Sequence, residues 1–306
     1  MTIVCATHFT DSSFAAVRVA AGLARKHRQP LWLVSVLAAR PEDGSVSPVN
    51  DALLLEAAAL ASDGVEASTA VLHGSIEEAV GQFCAQKKAT LLVIGDTSKN
   101  TRAMFASTLD KFAYNVELPL LVVRDSAPLE RWVKGPAPLK VMLALDHTWS
   151  SAVARDWVSR LAEYGAIELV AAHVWWPADE YDRRNLSPTE DHTALAALML
   201  DETQQALKGL PANVASRVHL EMGRTHIAEQ LLELAGTELP DVLVLGTNPH
   251  HGPLSLLRSV SHEVLSNAPM SIACIPGRLV LPGLSSELRT QAAAAEAAAQ
   301  GAAAAR

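Results

Sequence analysis

Short runs of branched aliphatic residues alternate along the chain with longer segments whose apolar residues recur at helical spacing. Continuous apolar runs are typical of parallel strands that are buried on both faces. The strands predicted in the first part of the chain are Ile3–Ala6, Leu31–Leu37, Val65–Leu72, Leu91–Gly95 and Pro119–Val123. Those predicted in the second part are Lys140–Leu145, Ile167–Trp175, Val214–Leu220, Val242–Leu245 and Met270–Ile275. Because helical patterns separate these runs, the chain predicts repeated β-α-β units.

The two parts of the chain repeat one another. In the first part, a strand ending at Gly95 is followed by a polar loop and by Ser107 at a predicted helix start. In the second part, the same order leads from Gly246 through a polar loop to Ser259. The chain is therefore a tandem repeat of about half its length. Right-handed connections predict an α/β fold of two doubly wound (Rossmann-like) domains, each with five parallel-type strands and helices on both faces.

Composition sets the predicted domain boundaries. Residues 1–124 form the first domain and residues 139–276 form the second. Residues 125–138 contain three prolines and one glycine with mixed charge, which indicates an interdomain linker. Residues 277–306 form an Ala-rich tail, to which we assign no site.

Two segments carry the Ser-x-x-Glu pattern of a capping box, in which a serine and a glutamate satisfy free N–H groups at a helix start. Ser75–Glu78 predicts the start of a helix that runs to about Lys88. Ser187–Glu190, with Pro188 at the first helical position, predicts a longer helix that runs to about Lys208.

Composition also limits which partners the protein is expected to bind and in which compartment it is expected to lie. The 25 basic and 33 acidic residues give a net charge of −8, whereas duplex binding needs a clustered basic face, so we expect no nucleic-acid partner. No apolar stretch approaches the ~18 residues of a membrane span. The chain enters a strand without a basic leader, so we expect a cytoplasmic protein with no membrane partner. Cys5, Cys84 and Cys274 lie in apolar elements, which predicts buried thiols in a reducing compartment.

On these residues, each half resembles the universal stress protein domain. In that family a strand ends in Gly, a second Gly follows two residues later, and about nine more residues lead to Gly-Ser or Gly-Thr at a helix start. In members that keep this motif, it wraps the phosphates of ATP. The resemblance covers about residues 2–124 and 139–276. Both copies depart from the motif, because Ser98 and Pro249 stand at the second glycine and Ala106 and Arg258 at the third.

The resemblance also implies how the strands are arranged. It implies strand order 3-2-1-4-5 in each half. It further implies that the last strands, near residues 118–123 and 270–275, pair across the halves as an intramolecular pseudo-dimer. Association of two chains as a homodimer is left open.

The candidate nucleotide site lies in the second half. The resemblance implies that Asp146, at the end of the first strand, reaches the nucleoside; the alternative is a carboxylate that caps free helix N–H groups. Gly246 lacks a Cβ, so a phosphate could approach its backbone, or the glycine could serve only the turn. The first half has His8 in place of Asp146, which makes binding there doubtful.

Arg258 and Ser259 complete the candidate site. Ser259 combines a hydroxyl with the free N–H groups of a helix start, which favour an anion; the alternative is a plain N-cap. Arg258 could clamp a phosphate with its planar guanidinium, or it could fold into the site and fill it.

Other chemistry has weaker support in the sequence. His250, His251 and His262 suggest a metal, but adjacent loop histidines point apart and no Cys or carboxylate stands at ligand spacing, so we predict no metal beyond Mg²⁺ accompanying ATP. Phosphate-loop, dinucleotide-binding and hydrolase motifs are absent. We therefore expect a universal stress protein-like binding and regulatory protein of the stress response, holding ATP in its second half. The alternatives are an interaction scaffold of the same fold that has lost nucleotide binding and, as an enzyme, slow hydrolysis of ATP.

Overall fold

The computed structural model of the protein describes residues 2–38, 48–96, 112, 117–247 and 260–278. The strands are β1 Ile3–Ala6, β2 Leu31–Leu37, β3 Ala67–His73, β4 Leu91–Gly95, β5 Leu120–Val123, β6 Leu139–Ala144, β7 Ile167–Trp175, β8 Val214–Met222, β9 Val242–Thr247 and β10 Ser271–Pro276. The helices in these ranges are α1 Asp11–His27, α2 Pro48–Ser62, α3 Ile76–Gln86, α4 Ala127–Lys134, α5 Trp149–Leu161, α6 Pro177–Arg184, α7 Thr193–Ala206, α8 Ile227–Glu238 and α9 Val260–Asn267. A 3₁₀ turn, Ala162–Tyr164, follows α5.

The ten strands of the described ranges form one sheet, in the order β3-β2-β1-β4-β5-β10-β9-β6-β7-β8. Neighbouring strands are parallel within each half, and β5 and β10 are antiparallel across the centre. The predicted α/β class, the strand order 3-2-1-4-5 in each half and the pairing of the two last strands are therefore confirmed. The central strands are buried along their whole length, whereas β3 and β8 at the edges are partly exposed. This burial accounts for the continuous apolar runs of the central strands.

Helices cover both faces of the sheet. One face packs against α1, α2, α4 and α5, with Val17, Leu53, Leu129 and Val153 among the buried residues. The opposite face packs against α3, α8 and α9, with Val80, Leu231 and Val264 among its buried residues. Each such aliphatic side chain stabilises the fold by about 1.5–3 kcal/mol relative to an exposed one.

The segment 125–138, which we interpret as a linker, is not an irregular connection because it contains the helix α4. Leu129, Trp132 and Val133 of this helix are buried in a core cluster that both halves share. The Trp132 indole N–H donates to the carbonyl of Ala166 at 2.9 Å. The prolines are compatible with a helix here, since Pro128 lies in the first turn and Pro136 and Pro138 follow the last.

The predicted helix start at Ser75 is confirmed without the hydrogen bond of a capping box, and the capping box predicted at Ser187 is wrong. Ser75 occupies the N-cap position of α3, but its side chain makes no capping hydrogen bond. Residues 187–192 are not helical, and α7 begins only at Thr193. The Thr189 hydroxyl instead donates to the carbonyl of Asp191 and contacts the Tyr181 hydroxyl at 2.6 Å. These contacts hold the segment as a loop against Tyr181 of α6. The helix α6 itself was not predicted from the sequence.

Side chains join the halves beside the β5–β10 pair. The Arg124 backbone N–H donates to Ser271 Oγ at 3.2 Å, and its guanidinium donates to the carbonyl of Leu265 in α9. The same guanidinium lies 2.7 Å from the Asp96 carboxylate, and both side chains are buried. Arg124 thus connects the end of β4 in the first half to α9 in the second.

The burial of the cysteines and the absence of a long apolar stretch were also predicted from the sequence. Cys5, Cys84 and Cys274 are free and buried, as predicted, and burial raises the pKa of Cys5 and that of Cys84. Among the helices of the described ranges, none is long and apolar enough to span a membrane.

Candidate functional site

The candidate site lies where the strand order of the second half reverses direction. β6 pairs with β7 on one side and with β9 on the other. The connections from these strands leave toward opposite faces of the sheet, so a crevice forms outside their carboxyl ends. Asp146 follows β6 at this edge, and Gly246 lies in the last turn of β9.

Asp146 is exposed and forms part of the start of α5. Its Oδ1 accepts hydrogen bonds from the Thr148 backbone N–H at 2.8 Å and from the Thr148 hydroxyl at 2.5 Å. Thr148 is the N-cap of α5, because its Oγ1 accepts from the Ser151 N–H at 3.4 Å. The carboxylate therefore supports the cap through one oxygen. Within the described residues, Oδ2 has no hydrogen-bond partner, so an acceptor remains for a hydroxyl or amino group of a ligand.

Gly246 packs directly against the backbone at the start of α5. A Cβ at this position would lie 2.5 Å from the carbonyl carbon of Ser150 and 2.8 Å from the Ser151 nitrogen. Backbone atoms cannot move aside cheaply, so a glycine is needed here whether or not a phosphate binds. The contact brings the end of β9 and the Asp146 loop together at one edge of the sheet.

The first half repeats this packing but not the same polar groups. A Cβ at Gly95 would lie 2.5 Å from the carbonyl carbon of Ser12, as at Gly246 and Ser150. At the place of Asp146, His8 contacts the Thr10 hydroxyl at 2.9 Å through Nε2, and burial lowers the pKa of His8. Directly after Gly95 comes Asp96, which is engaged by Arg124. The second half has an uncharged, buried Thr247 at that position.

Arg258 and Ser259 lie outside the described residues, as do Ser98, Ala106, Ser107, Pro249, His250 and His251. Their proposed contacts with a ligand stay predictions. His262 lies in α9 and is partly buried. Among the residues that the structure describes, there is no group of three His, Cys, Asp or Glu side chains that could hold a metal ion.

A charged cluster beside Asp146 was missed by sequence reasoning. His147 Nε2 lies 3.4 Å from Oε1 of Glu180, and the His147 ring meets the His173 ring edge-on at 5.0 Å between centroids. Glu180 is only 6% exposed and His173 only 4%. The sequence pattern around His173 indicates an ordinary strand, and the pattern around Glu180 indicates a loop. Their proximity follows only from the packing of α6 against the end of β7.

Two arginines and a second glutamate complete this cluster. Arg183 donates to Oε2 of Glu180 at 2.7 Å and to Oε2 of Glu202 at 2.9 Å. Arg184 donates to the same Glu202 oxygen at 2.6 Å. Burial opposes ionisation of Glu180, but the hydrogen bond and the charge of Arg183 outweigh it, and the pKa of Glu180 is lowered. Glu180 is therefore a buried, charged carboxylate that faces His147.

The fold and the site define a tandem α/β protein of two doubly wound halves, with a candidate ligand crevice at the switch point of the second half. The chain belongs to the universal stress protein family, whose model matches residues 1–124 and 139–276. No curated protein matches the chain.

Solved structures support the same fold. The chain is similar to a universal stress protein from Archaeoglobus fulgidus DSM 4304, at 14% identity and a TM-score of 0.60, covering 90% of this chain and 96% of that one. A putative universal stress protein from Pseudomonas aeruginosa UCBPP-PA14 is similar at 15% identity and a TM-score of 0.60, covering 95% and 97% of the two chains. Similarity at this identity shows the shared fold of both halves.

Proposed function

We propose that this protein is a binding and regulatory member of the universal stress protein family whose second half binds ATP. Asp146 would accept a hydrogen bond from the nucleoside, and the loop after Gly246, with Arg258 and Ser259, would contact the phosphates. When bound, the nucleotide supplies a polyphosphate whose charge and accompanying Mg²⁺ change the surface presented to a partner.

One observation carries the proposal: Gly246 packs against Ser150 and Ser151, two and three residues after Thr148. This contact sets the end of β9 against the start of α5, next to the segment that carries the exposed carboxylate of Asp146. A carboxylate with an unbonded oxygen fits a ribose hydroxyl or an amino group. Two features of the first half favour a site in the second half. His8 stands in place of the carboxylate, and Asp96, which follows Gly95, is paired with Arg124.

Thermal unfolding with MgATP, ADP and AMP tests the proposal. A ligand that binds only the folded state stabilises it by about 2.7 kcal/mol at a hundred times its dissociation constant. We expect a saturable rise in melting temperature with ATP. The Asp146→Asn variant keeps an oxygen for Thr148 but loses the charge, so it should keep its fold and show a smaller response.

The matched control is His8→Asn, the same position in the first half, which should respond to ATP like the parent. A flat response of the nucleotide-free parent protein up to millimolar ATP would instead support the second candidate function. That candidate is an interaction scaffold of the same fold, and the departures from the glycine motif at Pro249 and Arg258 favour it.

A further inference from the structure

We propose that His147 makes ligand binding in the second half depend on pH, because the protonated imidazole pairs with Glu180 and holds the Asp146 loop against α6. The proposal rests on the proposed function and deepens it by adding a control to the same site. His147 follows Asp146 directly in the chain. Its side chain contacts Glu180 of α6 and so connects the Asp146 loop to that helix.

The geometry provides a permanent anion for His147. Glu180 Oε1 faces the imidazole Nε2 at 3.4 Å, while Oε2 is held by Arg183 at 2.7 Å and 3.0 Å. The arginines lower the pKa of Glu180, so an ionised carboxylate faces the imidazole of His147. A neutral imidazole carries no net charge to pair with this carboxylate, whereas an imidazolium attracts it electrostatically.

The groups that face His147 come from three elements and its own loop. β7 supplies His173, which stays neutral because burial, aided by His147, lowers its pKa to about 4. α6 supplies Glu180, with Arg183 and Arg184 behind it, and α7 supplies Glu202, which is bonded to both arginines. Asp146 precedes His147 in the loop. A proton on His147 therefore faces the carboxylate of Glu180, and the neutral His173 does not oppose it.

In the first half, the described positions equivalent to His147 and His173 hold apolar residues. Ser12 and Ser150 contact the equivalent glycines, which sets Phe9 at the place of His147. Leu37 and His173 are each the seventh residue of their strands, β2 and β7. The polar cluster thus occurs only in the half that has Asp146, among the equivalent positions that the structure describes.

Two consequences of protonation act in the same direction. The loop that presents Asp146 is tied more firmly to α6, so a ligand meets a more ordered carboxylate. A positive charge is also added beside a crevice that would hold a polyanion. We therefore expect MgATP to bind more tightly at pH 6 than at pH 8.

The test is calorimetric titration of the full chain with MgATP at pH 6, 7 and 8. A coupling of ordinary size predicts that affinity in the parent rises about fivefold between pH 8 and pH 6, beyond the change caused by ATP itself. The variant His147→Phe, which copies Phe9, should retain only the change that ATP causes. The matched control is His219→Phe, since His219 faces Glu238 at 3.5 Å in a similar pair at the edge strand β8; it should keep the parent's pH dependence.

A second measurement detects the tether without any ligand. Hydrogen–deuterium exchange of residues 145–151, corrected for intrinsic rates, should be slower at pH 6 than at pH 8 in the parent and equal at both in His147→Phe. MgATP binding whose pH dependence survives in His147→Phe overturns this proposal alone. Absence of MgATP binding at every pH overturns the proposed function and this proposal together.

Discussion

At the scale of single residues, the buried His173 has the clearest consequence. Burial favours its neutral form and lowers its pKa from 6.5 to about 4. The unfolded chain takes up this proton near pH 6.5, whereas the folded chain resists it until about pH 4. The stabilising contribution is therefore fully present above pH 6.5 and is lost as pH falls toward 4, by about 3 kcal/mol for a shift of this size.

The lowered pKa of His173 predicts a difference between two variants. His173→Leu, which copies Leu37 of the first half, removes the titrating group, so its melting temperature should fall less than the parent's between pH 6.5 and pH 4.5. His73→Gln changes an exposed histidine at the end of β3 and should follow the parent. Melting curves followed by circular dichroism measure both. Parallel curves for the parent and His173→Leu across this range would contradict the assignment.

The residues of the site were predictable to different extents. Asp146 and Gly246 could be found because a motif places them at the ends of strands, and the structure packs the end of β9 against the start of α5. The contact between His147, His173 and Glu180 could not be found in this way. It depends on how α6 lies across the end of β7, which is a tertiary property without a local pattern.

At the scale of elements, strands were predicted better than helix starts. Each strand of the described ranges was predicted, and continuous apolar runs mark the central ones because these are buried on both faces. The capping boxes failed because Ser-x-x-Glu is common, and the pattern alone does not fix the backbone that capping needs. Prolines around α4 suggested a linker, although each stands where a helix tolerates it.

The helix α4 should be essential to the fold rather than a passive connection. Trp132 is 1% exposed, and its indole donates to the Ala166 carbonyl. Trp132→Ala should lower the free energy of unfolding by about 3–5 kcal/mol, as for other large-to-small changes in a core. The exposed neighbour variant Arg131→Ala should stay within about 0.5 kcal/mol of the parent. Urea denaturation distinguishes these values, and a loss below 1 kcal/mol for Trp132→Ala would show that α4 is dispensable.

At the scale of the whole molecule, the ion pair between Asp96 and Arg124 supports the junction of the halves. Arg124→Met removes the buried guanidinium that pairs with Asp96, which should cost roughly 3–5 kcal/mol of stability. The double variant Asp96→Asn with Arg124→Met removes both charges and should recover part of this loss. Urea denaturation of the parent, both single variants and the double variant closes the cycle. Purely additive losses would show that the pair is not coupled.

The antiparallel contact between β5 and β10 has a consequence for how the protein can evolve. Because the strands of the two halves run in opposite directions, the carboxyl ends of the first half and those of the second lie on opposite edges of one sheet. Covalent linkage keeps the partners together at any dilution, so their pairing no longer depends on identical subunits meeting. Selection for ligand binding at the carboxyl ends of one half can then relax while the two halves stay paired. A duplicated gene with this architecture can keep one copy as a structural support while the other retains or changes its ligand.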